Sequence, residues 1–112
     1  MTDKRLAVVT GGARGIGRAI VFELLKQGRT VAALDIKQEQ LQELEQAGKQ
    51  AGYEILTRCV DITKSDQLTE VLESLASEHG GIGILVNNAG ITRDKLMIQM
   101  DDEDYDRVMN VN

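Results

Sequence analysis

Short unbroken apolar runs alternate along this chain with stretches that carry apolar residues on one helical face only. The first run, Leu6 to Val9, is too short for a helix and does not alternate with polar residues, which predicts a strand buried on both faces of a parallel sheet. Thr30 to Leu34, Glu54 to Val60 and Ile82 to Val86 repeat that signal as three further strands. Between them the period changes to that of a helix. Ile16 to Lys26 sets Ile16, Ala19, Ile20, Phe22, Leu24 and Leu25 on one broad face before a stop at Gly28,. Lys37 to Ala51 keeps only Leu41, Leu44 and Ala47 on a stripe, with Glu and Gln elsewhere; Gly48 weakens its end and Gly52 stops it,. A third helix carries Leu68, Val71, Leu72 and Leu75, with Thr63, Ser65 or Asp66 available to cap it,. Asp101 to Asp104 read as the acidic first turn of a fourth helix, on which Tyr105, Val108 and Asn112 share the inward face,. Strand and helix alternate throughout, which is the pattern of an α/β unit around a parallel sheet.

Composition narrows the function without choosing it. The 112 residues suffice for one domain at most, and the absence of proline leaves no internal boundary,. The formal charge of −5 argues against a nucleic-acid partner, because phosphate backbones are held by concentrated Lys and Arg,. A single cysteine, Cys59, excludes an internal disulfide and suits a reducing compartment,. No apolar run approaches the roughly 18 residues of a membrane span, so the expectation is a cytoplasmic protein with no membrane partner.

The chemistry starts at Thr10-Gly11-Gly12-Ala13-Arg14-Gly15-Ile16-Gly17, a glycine turn between the first strand and the first helix. A helix start carries unpaired N–H groups and about half a positive charge, so a glycine turn feeding one is a place for a diphosphate. In that reading Gly11 takes the turn conformation, Gly15 lets a pyrophosphate approach the backbone and Gly17 lets the helix pack closely. Asp35, 18 residues after Gly17, ends the second strand; it is placed either to accept hydrogen bonds from a ribose or to cap the helix beginning near Lys37. Asp61-Ile62-Thr63 follows the third strand, at the sheet edge where open α/β folds bind ligands,; Asp61 stands early for a helix cap, which tilts it toward a ligand, while Thr63 and Ser65 read as caps. Asn87-Asn88-Ala89-Gly90 follows the fourth strand, with amides able to bridge neighbouring backbones and small residues that leave room for a flat ligand,. His79, the only histidine, falls in the last turn of the third helix, where it interacts with the helix C-terminus,. With Cys59 the only cysteine, no Cys/His metal set can be assembled, and no metal is expected,.

Taken in order, T-G-G-A-R-G-I-G, the acid at Asp35, D-I-T, N-N-A-G and the closing V-N resemble the short-chain dehydrogenase/reductase family. The continuation from Gly90 to Leu96, with Asn110-Val111-Asn112, is most similar to its 3-oxoacyl-[acyl-carrier-protein] reductase branch. The resemblance implies a Rossmann-type parallel sheet with helices on both faces, its four strands in the order 3-2-1-4. It implies that Gly11, Arg14, Gly15, Ile16 and Gly17 line a diphosphate and adenosine ribose, that Asp61 and Ile62 flank the adenine, and that Asn88, Ala89 and Gly90 run past the ribose. Asn112 matches the asparagine that holds a water in the family's proton relay, the one residue of the catalytic set present. The implied activity is hydride transfer between a nicotinamide dinucleotide and a small-molecule or acyl-thioester substrate, by a family that is usually homo-oligomeric.

The same resemblance shows what is missing. Family chemistry uses a serine and a Tyr-x-x-x-Lys pair in which the lysine lowers the phenol's pKa. Here Tyr53 and Tyr105 are followed four residues on by Thr57 and Met109. Residues 1–112 are therefore expected to be the dinucleotide-binding half of a single Rossmann domain, truncated before the catalytic region, with the fourth strand left at a sheet edge. A non-catalytic binding module is the alternative. For the cofactor, Asp35 would repel the 2′-phosphate of NADP and bind the free diol of NAD, whereas Arg14 would attract that phosphate or pair with Asp35. An acid at the ribose outweighs a flexible arginine at the rim, so NAD is expected ahead of NADP.

Overall fold

A computed structural model describes residues 5–88 and the backbone of a short strand at Val108–Asn110. The elements alternate as β1 (Leu6–Thr10), α1 (Gly15–Lys26), β2 (Val31–Asp35), α2 (Gln38–Gln50), β3 (Leu56–Cys59), α3 (Ser65–His79), β4 (Ile82–Asn87) and β5 (Val108–Asn110). All strand pairings are parallel and the sheet runs β3-β2-β1-β4-β5. The order expected for the first four strands holds, and the element starts and ends move by one or two residues, as helix and strand termini do.

Every residue of β1 is buried, as befits a strand paired on both sides and covered on both faces. Because side chains alternate across a strand, β1 feeds two cores. Ala7 and Val9 meet Val21, Leu24 and Leu25 of α1 and Leu41 and Leu44 of α2 on one face. Leu6 and Val8 meet Leu68, Leu72 and Leu75 of α3 on the other. The periodic leucines read from the sequence are therefore the residues that fasten each helix to the sheet.

Three expectations are corrected. Val108–Asn110 lies in a strand, with Leu85, Val86 and Asn87 of β4 opposite Val108, Met109 and Asn110, so the helix expected over these residues does not include them, and β4 is not the sheet edge. The outer N–H and C=O groups of a buried, apolar strand need partners, and that demand outweighs the helical spacing of Tyr105, Val108 and Asn112. Second, Lys64 takes the N-cap position of α3 with no side-chain cap; Thr63 donates its hydroxyl to Asp61 at 2.6 Å instead of capping. Third, Gly48 does not merely weaken α2. It is buried, and a Cβ there would stand 2.6 Å from Ile55 Cδ1, so its bare backbone is what lets the segment leading into β3 pack against the helix.

Candidate functional site

The carboxyl ends of β1, β2 and β4 converge on the glycine turn, at the point where the chain order reverses between β1 and β4. Gly11 and Gly15 adopt positive φ of 64° and 61°, a region closed to most side chains. Gly11 N–H donates to Leu34 O at 2.7 Å and Gly12 N–H to the same oxygen at 3.3 Å, which ties the turn to β2. Gly17 lies where α1 passes over the turn; a Cβ on it would fall inside contact distance of Gly11 O and 2.7 Å from Asn88 Nδ2.

Thr10 and Asn87 are the buried polar residues of the core, and they stand in register on β1 and β4. Thr10 Oγ1 donates to Val86 O at 3.3 Å and accepts from Asn88 N–H at 3.1 Å. Asn88 Nδ2 donates to Gly11 O at 3.1 Å. The bridge to neighbouring backbone expected of the asparagine amides is present for Asn88, and Thr10 is the residue that sequence reasoning missed. Its signal was available: a threonine that ends a strand buried on both faces needs a partner for its hydroxyl.

These groups surround a cleft of about 510 Å³, lined by Gly11, Arg14, Gly15, Ile16 and Asn88 from one side and by Asp35, Ile36, Asp61, Ile62 and Thr63 from the other. That volume lies within the roughly 300–1,000 Å³ of small-molecule sites. Ile16 and Ile36, 58% and 55% exposed, are the large exposed hydrophobics among the described residues, and both lie here. Ile36 was not anticipated. A larger hollow of about 670 Å³ runs along the β3 edge, but there Thr57 already donates to Glu45 at 2.6 Å and Arg58 to Thr57 O at 2.9 Å.

The donors in the cleft belong to the start of α1. The first turn of that helix holds no acid, and Arg14, its N-cap residue, makes no side-chain cap. Among the described residues no carbonyl takes the N–H of Gly15, Ile16 or Gly17, so the positive end of the helix points out unneutralised. The acceptors come from β2 and the segment after β3. Asp35 Oδ2 accepts from Ala13 N–H at 3.2 Å and Oδ1 from Ile36 N–H at 2.8 Å; this acid is fastened to backbone, and among the described residues no ion pair joins it to Arg14. Asp61 Oδ1 accepts both the hydroxyl and the N–H of Thr63, at 2.6 and 3.0 Å. Those two bonds hold its carboxyl below the usual carboxylate range,.

Ala89, Gly90 and Asn112 lie outside the described residues. His79 sits in the last turn of α3, its Nε2 4.0 Å from Glu78 and away from the cleft. No group of His, Cys, Asp and Glu among the described residues is arranged to hold a metal ion, and no helix among them is long and apolar enough to cross a membrane.

Comparison with known proteins agrees with this geometry. The 3-oxoacyl-[acyl-carrier-protein] reductase of Thermotoga maritima is 40% identical over 110 residues, which cover 98% of this chain and 45% of that protein. Among solved structures, a metagenomic short-chain oxidoreductase in complex with NADP superposes with a TM-score of 0.73 at 35% identity, over 80% of this chain and 40% of its own. An NAD⁺-bound xylitol dehydrogenase superposes with a TM-score of 0.71 at 29% identity, over 80% of this chain and 34% of its own. The chain thus spans about half the length of the curated relatives it matches. A sequence profile of the short chain dehydrogenases matches residues 5–112, nearly the whole chain and all of the parallel sheet and glycine turn described above, and the chain belongs to the short-chain dehydrogenase family.

Proposed function

We propose that residues 1–112 are the dinucleotide-binding half of one Rossmann domain, in an oxidoreductase that moves hydride between a nicotinamide cofactor and a 3-oxoacyl thioester. The observation that carries this reading is the meeting of opposite needs in one cleft: unpaired N–H groups at the start of α1, carboxylates from β2 and the segment after β3, and two exposed isoleucines between them. A dinucleotide presents a diphosphate, hydroxyls and an apolar base in that same combination. The site is also shaped for close approach, since a Cβ built on Gly15 would meet nothing within 4 Å.

When bound, the cofactor supplies the hydride. Gly15, Ile16 and Gly17 direct their N–H groups and the helix dipole at the diphosphate, with Arg14 at the rim. Asp35 accepts from the adenosine ribose. Asp61 uses only Oδ1 on Thr63, which leaves Oδ2 for the amino group of an adenine lying against Ile62. Asn88 keeps the β4 end tied to Gly11; by family resemblance Ala89 and Gly90 would contact the ribose, and Asn112 would hold the relay water. The thioester substrate is inferred from the reductases matched, such as that of Thermotoga maritima.

Cofactor choice rests on this chain's own residues, because the two solved relatives hold different dinucleotides. Asp35 puts a negative charge where a 2′-phosphate would bring another, so NAD is favoured over NADP. The acidic composition with a single cysteine fits a cytoplasmic setting,. Calorimetric titration of the folded chain with NADH and NADPH at one salt concentration tests the site. Binding that prefers NADH supports it, preference for NADPH moves the decision to Arg14, and no binding of either removes the reading.

One observation favours a second reading. Neither Tyr53 nor Tyr105 has a lysine four residues on, so these residues hold no proton-donating pair, and the chain acting alone would bind without turnover. Oxidation of NADH by the 112-residue chain with acetoacetyl-CoA would eliminate that module reading.

A further inference from the structure

The first three N–H groups of the glycine turn all end on β2. Gly11 and Gly12 donate to Leu34 O, and Ala13 donates to Asp35 Oδ2 at 3.2 Å. Ala13 is 2% exposed, so without that carboxylate its N–H would face neither water nor another acceptor. The second oxygen, Oδ1, takes Ile36 N–H at 2.8 Å and so fixes the carboxylate against its own backbone. The glycines at positions 11, 12 and 15 give this turn more backbone freedom than residues with side chains would, and it needs such a fastening to present one shape.

We infer that Asp35 is a clasp on the glycine turn, a positioning residue that holds Ala13 in place before any ligand arrives and so presets the free N–H groups of Gly15, Ile16 and Gly17. Its importance for binding rests on the dinucleotide reading above; its effect on the turn does not. A carboxylate offers about four acceptor directions. Two are occupied here, which leaves the outer lone pairs for ribose hydroxyls while the clasp stays shut. Ala13 N–H, bound to Asp35, is not free to receive a 2′-phosphate.

The test is amide hydrogen exchange by NMR on the ligand-free chain, with Gly11 and Gly12 as internal references because their acceptor is a backbone oxygen. In Asp35→Ala the Ala13 amide should exchange about tenfold or more faster relative to those references, the effect of losing a hydrogen bond to a charged group. Asp35→Asn has one acceptor oxygen for the two N–H groups of Ala13 and Ile36, so its Ala13 exchange should fall between those of the unmutated chain and Asp35→Ala. Unchanged Ala13 exchange in Asp35→Ala overturns the clasp. If Asp35→Ala does not fold, the scalar coupling across the hydrogen bond between Ala13 nitrogen and the Asp35 carboxyl carbon, read in the unmutated chain, decides: its presence upholds the clasp and its absence overturns it. Addition of NADH separates the two claims. A protected Ala13 in a chain that binds no dinucleotide keeps the clasp and removes the dinucleotide reading, whereas binding without protection does the reverse.

Discussion

Replacing Gly17 by alanine sets two effects against each other. Gly17 lies in the first turn of α1, and in an unconstrained helix the change would stabilise by about 1 kcal/mol. The added methyl would, however, press on Gly11 O and stand 2.7 Å from Asn88 Nδ2. The first of these is main chain, so no rotamer relieves it, and α1 must lift off the turn. Overpacking of this kind costs about 1–3 kcal/mol. The methyl would also crowd both atoms of the Asn88–Gly11 hydrogen bond, worth about 1 kcal/mol. The sterics therefore win, with a net loss of about 1–3 kcal/mol. With a urea m-value of about 2 kcal/mol/M for a chain of this size, the unfolding midpoint should fall by about 1 M while the slope stays the same. Gly15→Ala separates shape from strain: its methyl meets nothing within 4 Å, but φ is +61°, so it should lose about 1–2 kcal/mol through backbone conformation alone. A Gly17→Ala chain that unfolds at the urea concentration of the unmutated one refutes the close packing of helix on turn.

Thr10→Val keeps the shape of a fully buried side chain but leaves Asn88 N–H without its acceptor; denaturant unfolding should show a loss of about 1–3 kcal/mol. Thr63→Val removes the shorter of the two bonds that depress Asp61. A depressed folded-state pKa contributes stability above the unfolded value of about 4 and loses it as pH falls through the folded value. The unmutated chain should therefore exceed Thr63→Val in melting temperature at pH 7, and the difference should narrow as acid protonates Asp61. An upward shift of the Asp61 carboxyl titration in the variant, read by NMR, checks the cause. Asp35→Asn removes the charge opposing a 2′-phosphate, so calorimetry should show the NADPH-to-NADH affinity ratio rising by about tenfold or more.

Much of this was legible in the residues because it depends on local chemistry. Apolar runs such as Leu6 to Val9 and leucines at helical spacing such as Leu68, Leu72 and Leu75 determined which segments are strands and helices and most of the buried faces; on α1, Ile16 and Ala19 of the face read from the sequence are exposed and Val21 is buried in the core. The order of the glycine turn, Asp35, Asp61 and the asparagines determined the family, since each marks the carboxyl end of a successive strand. What stayed hidden depends on which segments become neighbours. Thr10 reads as an ordinary strand residue until β4 lies beside β1 and supplies Val86 O and Asn88 N–H. Gly48 reads as a weak helix end until Ile55 packs on it. Val108–Asn110 has helical spacing, but the sheet decides its conformation, because β4 offers backbone groups that only an extended partner can satisfy,. The sequence by itself determined the elements from β1 to β4, the family and the acids; only the tertiary structure decided that Val108–Asn110 is a strand and that Asp35 reaches back 22 positions to Ala13. A hydrogen bond between distant segments exists only once the sheet has fixed their separation, and no local pattern encodes that distance.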